Sequence, residues 1–308
     1  MKFIDLHCDT ASMMYYKKQH LMKNYFSIDV EKLKKGNASA QFFAFFIDSK
    51  KLEAKKEFDN MYHNFMHEME SCPHICIAES YNDYKNNVLK KKISALLTIE
   101  EGQVLEGCMN NLYDVYEKGI RLITLTWNYE NSIGYPNCRK EFMNLGLKEF
   151  GINLISEMNR LGVIIDTSHL SDGGFYDVAK FSRKPFVASH SNSREVRNHP
   201  RNLTDDMIRV LADKGGIMGL NYCNSFVGSE NITSIEGLIN HVSHIVNVGG
   251  QEVIALGSDF DGIENEVEFK NPSHIDMFYT ALQRKGYSDD FIDKLFYKNA
   301  ERFIKDVL

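Results

Sequence analysis

The 308-residue sequence predicts an α/β protein, a single (β/α)8 TIM barrel with extra helices after the second strand. Three observations predict it. Short apolar runs rich in β-branched and aromatic residues recur along the chain, as buried parallel strands should. Amphipathic stretches with helical spacing separate most of these runs. No Gly/Ser/Pro-rich linker, low-complexity tract or close repeat divides the chain, so residues 1–308 are expected to form one domain. Strand and helix alternating over this length fit a closed barrel better than an open sheet.

The expected strands are 3–7, 41–47, 93–99, 120–126, 162–166, 185–189, 216–221 and 253–257. Helical patterns cover 147–161, 205–213 and 235–248. Thr204 precedes two acidic residues and is the expected N-cap of the second of these. Gly119, Gly162 and Gly215 stand between a helical pattern and a strand, where C-caps belong. The excursion over 50–90 is long enough for more than one helix. His241 and His244 are expected on the polar side of helix 235–248.

The formal charge is −6, from 42 acidic and 36 basic residues, and the Lys and Arg are spread along the chain. A nucleic-acid partner would need a basic patch or stripe, so that class is excluded. The cysteines (Cys8, Cys72, Cys76, Cys108, Cys138, Cys223) show no disulfide-framework spacing. The start, MKFIDLHCDT, reaches His7 and Asp9 before an apolar signal region could form, and no run of about 18 apolar residues suggests a membrane span. A reduced, cytoplasmic protein without a membrane partner is expected.

Metal-ligand residues stand at the C-terminal ends of the expected strands. The first ends in His7-Cys8-Asp9, the third in Glu100-Glu101, the fifth in Asp166-Thr167-Ser168-His169, the sixth in Ser189-His190-Ser191, and the eighth in Gly-Ser-Asp259-Phe-Asp261-Gly. In a barrel these ends converge on one face. Alternation directs both side chains of His7-x-Asp9 to one side of the strand end. His7, Asp9, His169 and His190, joined by Glu100, would hold two cations about 3.5–4 Å apart.

Each piece alone has an ordinary reading. His169 and His190 could be satisfied core histidines, an acidic pair is commonly solvated, and Asp and Gly favour turns. Recurrence at strand end after strand end has no packing reason. Two other metal readings are weaker. His63 and His67 lack the Glu of a zincin motif, and His67, Cys72, His74 and Cys76 would make a small structural zinc site without a second clear pair.

The segments IDLHCDT, ALLTIEEG, GIRLITLTWN, GVIIDTSHLS, PFVASHSNSREVRNHPRNLTD, GGIMGLNY, ALGSDFDG and KNAERFI resemble the membrane dipeptidase (renal dipeptidase-like, peptidase M19) family of the amidohydrolase superfamily. The match runs from the first strand to residue 304, and its most specific blocks are SHS-to-PRNL and GSDFDG. The resemblance implies a zinc-dependent dipeptidase, a metallopeptidase with two divalent ions, most fittingly Zn2+, that cleaves short peptides with a metal-bridging hydroxide. It implies that His7 and Asp9 hold one zinc and His169 and His190 the other, with Glu100 as the bridge. Asp259 would be the catalytic acid/base, and Arg201 with Asn202 would grip the substrate carboxylate. Similar proteins often pair as homodimers.

One position departs. Animal members carry a His after the LT of strand four, where this chain has Trp127. Trp donates one N–H and cannot act as an imidazole does. Trp127 is therefore expected to bind substrate in another way, and it favours an alternative amidohydrolase acting on an N-acyl amino acid, cyclic amide or lactam. Asp166 is a candidate to orient a ligand histidine. Asn221 and Tyr222 are candidates to line the pocket, and loop 223–234 to cover it.

Overall fold

Among the described residues nine parallel strands carry the architecture: β1 (Phe3–Cys8), β2 (Ala38–Phe46), β3 (Ile75–Ile77), β4 (Ile93–Glu100), β5 (Ile120–Thr124), β6 (Ile164–Asp166), β7 (Val187–Ala188), β8 (Ile217–Leu220) and β9 (Ile254–Leu256). The computed structural model describes residues 1–51, 53–228 and 231–308. The strands run in the order β2-β1-β9-β8-β7-β6-β5-β4-β3, and β2 also pairs with β4 over Ala40–Phe46. That last pairing closes eight strands into a (β/α)8 barrel.

β3 is outside the eight and was not expected. It pairs with Ile93–Ala95 of β4, ahead of Leu97, where β5 begins its own pairing. Three residues carry too little periodicity to stand out from a loop. The 50–90 excursion also holds two helices, Ala54–Glu70 and Tyr81–Leu89, as anticipated.

The barrel interior takes side chains from each of the eight strands: Ile4 and Leu6, Ala40 and Phe42, Leu96, Leu122, Ile164, Val187, Ile217 and Ala255. Ala300, Phe303, Ile304 and Val307 of the C-terminal helix join the same cluster. This helix lies across the N-terminal mouth of the barrel, and Arg302 donates to the carbonyls of Gly215 and Glu252 just before β8 and β9. The bottom is thus plugged, and the opposite mouth is left for chemistry. A larger cluster packs helices against the outside.

Local signals fall where the chemistry predicts. Thr204 Oγ1 accepts from Met207 N–H at 3.2 Å and caps Asp205–Asp213, a contact worth about 1 kcal/mol. Gly162 caps Glu149–Leu161 with φ 79°, and Gly119 and Gly215 also have positive φ. His241 corrects an expectation. It is fully buried, because it lies three residues after Leu238 and four before Ile245 on the buried face of Ile235–Gly249. His244 does stay on the polar side, paired with Asp205 at 2.7 Å. Among the described residues no helix is long and apolar enough to cross a membrane.

Candidate active site

The C-terminal ends of β1, β4, β6, β7 and β9 bring His7, Asp9, Glu100, His169, His190 and Asp259 together. Glu100 is the centre. Its Oε2 lies 3.4 Å from His7 Nε2, while its Oε1 lies 2.9 Å from His169 Nε2 and 3.4 Å from His190 Nε2. On the first side, His7 Nε2 is 3.8 Å from both Asp9 Oδ1 and Asp259 Oδ1. On the second, the two histidine Nε2 atoms face each other at 3.1 Å. Glu101 turns away at φ 107° and accepts from Asn131 Nδ2, Gln103 N–H and Ser49 Oγ.

Backbone conformation aims two of these side chains. His169 (φ 68°) and Asp259 (φ 61°) occupy the left-handed region, which costs a non-glycine residue about 1–3 kcal/mol unless its surroundings hold it there. Gly262 is glycine because the carboxylates come close: a Cβ there would lie 2.1 Å from Asp9 Oδ2 and 2.6 Å from Asp259 Oδ1.

The electrostatics follow from burial beside like charges. Burial, then the charge of Glu100, pushes the Asp9 carboxyl well up. Burial also raises Asp259, to about 6, with His7 pulling down and Glu100 adding to the rise. Burial would lower His7, but Glu100, Asp9 and Asp259 outweigh it and hold that imidazole up to about 10. His169 is lowered to about 4 by burial and by Arg201, and His190 is held well below the usual imidazole value, chiefly by burial.

This donor set fits divalent cations. Ligand atoms of His7, Glu100 and His190 lie within 4.8 Å of one another, as do those of His7, Asp9 and Asp259. The Nε2 atoms of His169 and His190 and the Oε1 of Glu100 form a third such group, all within 3.4 Å. Among the described residues no candidate cluster lies outside this site, and the His67, Cys72, His74 and Cys76 reading finds none. His7 Nδ1 and Asp9 Oδ1 are buried without a hydrogen-bond partner. Opposed imidazole nitrogens and crowded carboxylates both call for positive charge between them.

A cavity of about 540 Å³ opens over the cluster, lined among others by Tyr16, Phe46, Trp127, Arg201 and Phe226. Trp127 packs edge-on against Phe46 at 4.6 Å and lies 6.3 Å from the His169 ring. Arg201 is 4% exposed, and its Nε and Nη1 have no partner; only Nη2 donates, to His190 O at 3.3 Å. A buried guanidinium left so incomplete is built for an anion.

Asn202 corrects an expectation. It does not line the cavity; its Nδ2 faces the carbonyls of Ser193, Arg197 and Phe226, so it ties loops together. Tyr222 is also absent from the lining, being packed between Phe260 and Phe269. Asn221 does reach the site, donating to Asp259 Oδ2 at 2.9 Å. From loop 223–234, Cys223, Asn224, Ser225 and Phe226 line the cavity, while Ser229 and Glu230 lie outside the described residues. Sequence reasoning missed Asn128, whose Oδ1 lies 3.2 Å from His169 Nδ1. It also missed the role of Asp261, which accepts from Thr10 Oγ1 and from the N–H groups of Ser27 and Ile28 and pins the β1 and β9 loops. Asn128 follows Trp127 in a strand-end motif, which is the signal that could have found it.

A parallel barrel with a buried His/Asp/Glu cluster and an incompletely partnered buried arginine at its C-terminal mouth has the architecture of a metal-dependent hydrolase. The chain belongs to the membrane dipeptidase family, peptidase family M19, which it matches over residues 1–308. It is 32% identical over 227 residues to an uncharacterized protein of the pqqA 5′ region in Klebsiella pneumoniae, covering 70% of this chain and 83% of that one. An uncharacterized dipeptidase of Schizosaccharomyces pombe is 29% identical over 308 residues, covering 90% of this chain and 71% of that one. A Rhodobacter sphaeroides metallopeptidase, liganded with a phosphinate mimic of the dipeptide L-Ala-D-Ala, superposes with a TM-score of 0.93 at 21% identity, covering 100% and 99% of the two chains. The dipeptidase AC, also of family M19, gives 0.92 at 22% identity, covering 100% and 98%. At such identities the likeness speaks to the fold.

Proposed function

We propose that this protein is a zinc-dependent dipeptidase that works with two cations, its 308 residues acting as one hydrolase domain. The observation that carries the reading is the division of Glu100, with one oxygen toward His7 and the other toward His169 and His190. In this reading His7 and Asp9 would hold one ion and His169 and His190 the other, with Glu100 shared between them. When bound, such a pair polarises a carbonyl and makes a water acidic enough to lose a proton near neutral pH.

The protein's own groups do the rest. Asp259, steadied by Asn221, takes the proton from the attacking water and delivers it to the nitrogen of the breaking C–N bond. Arg201 pairs its unpartnered N–H groups with the substrate's terminal carboxylate, which limits substrates to short peptides. Trp127 and Phe46 present a largely apolar wall to a side chain and transfer no proton. Six unpaired cysteines support a reducing, cytoplasmic setting.

The test is a panel of dipeptides, L-Ala-D-Ala among them, beside N-acyl amino acids and a lactam, assayed zinc-replete and after chelation. Dipeptide hydrolysis that chelation abolishes and Zn2+ restores is the expected result. Turnover confined to the N-acyl or lactam substrates would move the assignment to the alternative that Trp127 favours. No turnover of any dipeptide by zinc-replete protein defeats the proposal.

A further inference from the structure

Below the proposed cation ligands lies a buried carboxylate with no direct contact to them. Asp166 ends β6 and is surrounded by four donors. Thr124 Oγ1 and Ser189 Oγ each donate to its Oδ2 at 2.6 Å, while the N–H groups of Ser189 and Ser168 donate to its Oδ1 at 2.9 and 3.0 Å. Alternation explains the gathering: Thr124, Asp166 and Ser189 each stand two residues beyond an interior residue, Leu122, Ile164 and Val187.

Ser189 Oγ has two further polar neighbours, His190 Nδ1 at 2.7 Å and, more distantly, Ser168 Oγ at 3.4 Å. A hydroxyl has one proton to give. If that proton goes to Asp166, Ser189 Oγ can only accept from His190, so the imidazole proton sits on Nδ1. The bare nitrogen is then Nε2, which faces Glu100 Oε1 at 3.4 Å. The opposite assignment would press two lone pairs together at 2.6 Å, or require a proton on a carboxylate whose acceptor directions are already filled. Ser189 cannot withdraw from the arrangement. Its carbonyl lies against Gly219 and Gly257, where a Cβ on either would come within 1.9 Å of it.

We infer that Asp166, acting through Ser189, is a positioning residue that fixes His190 as the Nδ1–H tautomer and leaves Nε2 free to bind a cation. The use of that nitrogen rests on the two-cation reading above; the tautomer does not. A carboxylate reaching a ligand histidine through a serine differs from the usual direct contact, and one hydroxyl thereby controls the relay.

The test uses full-length protein with 15N-labelled histidine, as isolated and after chelation. Long-range 1H–15N correlation reports which nitrogen of His190 carries the proton, and competition titration reports Zn2+ affinity. Wild type is expected to show a protonated Nδ1. Asp166→Asn would donate to Ser189 and turn its hydroxyl toward His190, moving the proton to Nε2 and weakening Zn2+ binding by about 10- to 100-fold. Should that variant not fold, Ser189→Ala should lose the single-tautomer pattern and the affinity while Ser189→Thr keeps both. A wild-type proton on Nε2, or identical spectra and affinities for the Ala and Thr variants, overturns the inference. A wild-type proton on Nδ1 in a protein that binds no Zn2+ upholds it and sinks the two-cation reading instead.

Discussion

Two buried aspartate–serine pairs support opposite sides of the site, built alike and ending differently. Asp166 of β6 is registered with Val187 and holds Ser189, two residues further on; Asp5 of β1 is registered with Leu256 and holds Ser258, again two further on. In each pair the carboxylate takes both the N–H and the hydroxyl of the serine, at 2.9 and 2.6 Å for Ser189 and at 2.7 and 2.6 Å for Ser258. Each serine directly precedes a site residue, His190 or Asp259. There the likeness stops. Ser189 Oγ meets an imidazole, whereas Ser258 Oγ accepts from Phe260 N–H at 3.2 Å and so holds the turn in which Asp259 sits at φ 61°. One pair sets a tautomer and the other a backbone direction. A histidine that must present one chosen nitrogen needs the first; a carboxylate that must only point correctly needs the second.

The sharpest break of this comparison comes from the two residues the serines deliver. Asp259→Asn keeps the turn and the size of the side chain but removes the proton acceptor. Its kcat on a dipeptide is expected to fall by about 10²–10⁴-fold, while zinc content by elemental analysis stays at the wild-type level. His190→Ala should lose zinc and activity together. Equal zinc loss in both variants would mean that Asp259 belongs with the ligands and not with the proton transfer.

Breaking the β1 clamp should cost less and spare the imidazole. In Asp5→Asn, one of the three donors now facing the carboxylate, Ser258 N–H, Ser258 Oγ–H or Gln41 Nε2–H, meets an N–H instead of an oxygen. The loss of satisfied buried hydrogen bonds predicts a drop of about 1–3 kcal/mol in urea unfolding. A several-fold lower kcat should follow from a loosened Asp259. The His190 tautomer should be untouched. A shifted His190 spectrum in Asp5→Asn would show that the two pairs are coupled, and the division of labour drawn above would be wrong.

Much of the barrel could be read in the chain because its strands are buried on both faces and therefore predominantly apolar, with polar residues gathered toward the functional mouth. Gly119, Gly162, Gly215 and Thr204 mark helix ends by local stereochemistry, which needs no tertiary context. The cluster His7, Asp9, Glu100, His169, His190 and Asp259 was legible for a topological reason, since strand ends must meet at one mouth. What could not be read depends on partners distant in sequence. Asn202 looks like a substrate contact beside Arg201 until its amide is found facing the carbonyl of Arg197 in its own loop and that of Phe226 in the segment after β8. Asp5 gives no sign of its task, because Ser258 stands 253 residues away. The two clamps share a register, and register between strands is not written in either strand alone.

A third histidine sharpens the contrast at the smallest scale. His241 Nδ1 accepts from Ser193 N–H at 3.2 Å, so its proton sits on Nε2, which donates to Val227 O at 3.1 Å. It therefore holds the tautomer opposite to the one inferred for His190, and it ties the loop after β7 to the loop after β8. Burial lowers its pKa from 6.5 to about 4. The sign follows from linkage: between those values the unfolded chain binds the proton and the folded one does not, so stability falls as pH drops from 6.5 toward 4. Across that window the loss attributable to His241 is on the order of 3 kcal/mol. His241→Gln, which can still accept and donate, should be less stable than wild type at pH 7.5 by about 1–2 kcal/mol. With chelator present throughout, urea midpoints for the two proteins should meet between about pH 5 and 6 and cross below that, because only wild type meets this acid penalty. Parallel curves would mean that His241 takes up its proton without leaving the fold, and that the bond to the Ser193 N–H is not what holds these loops together.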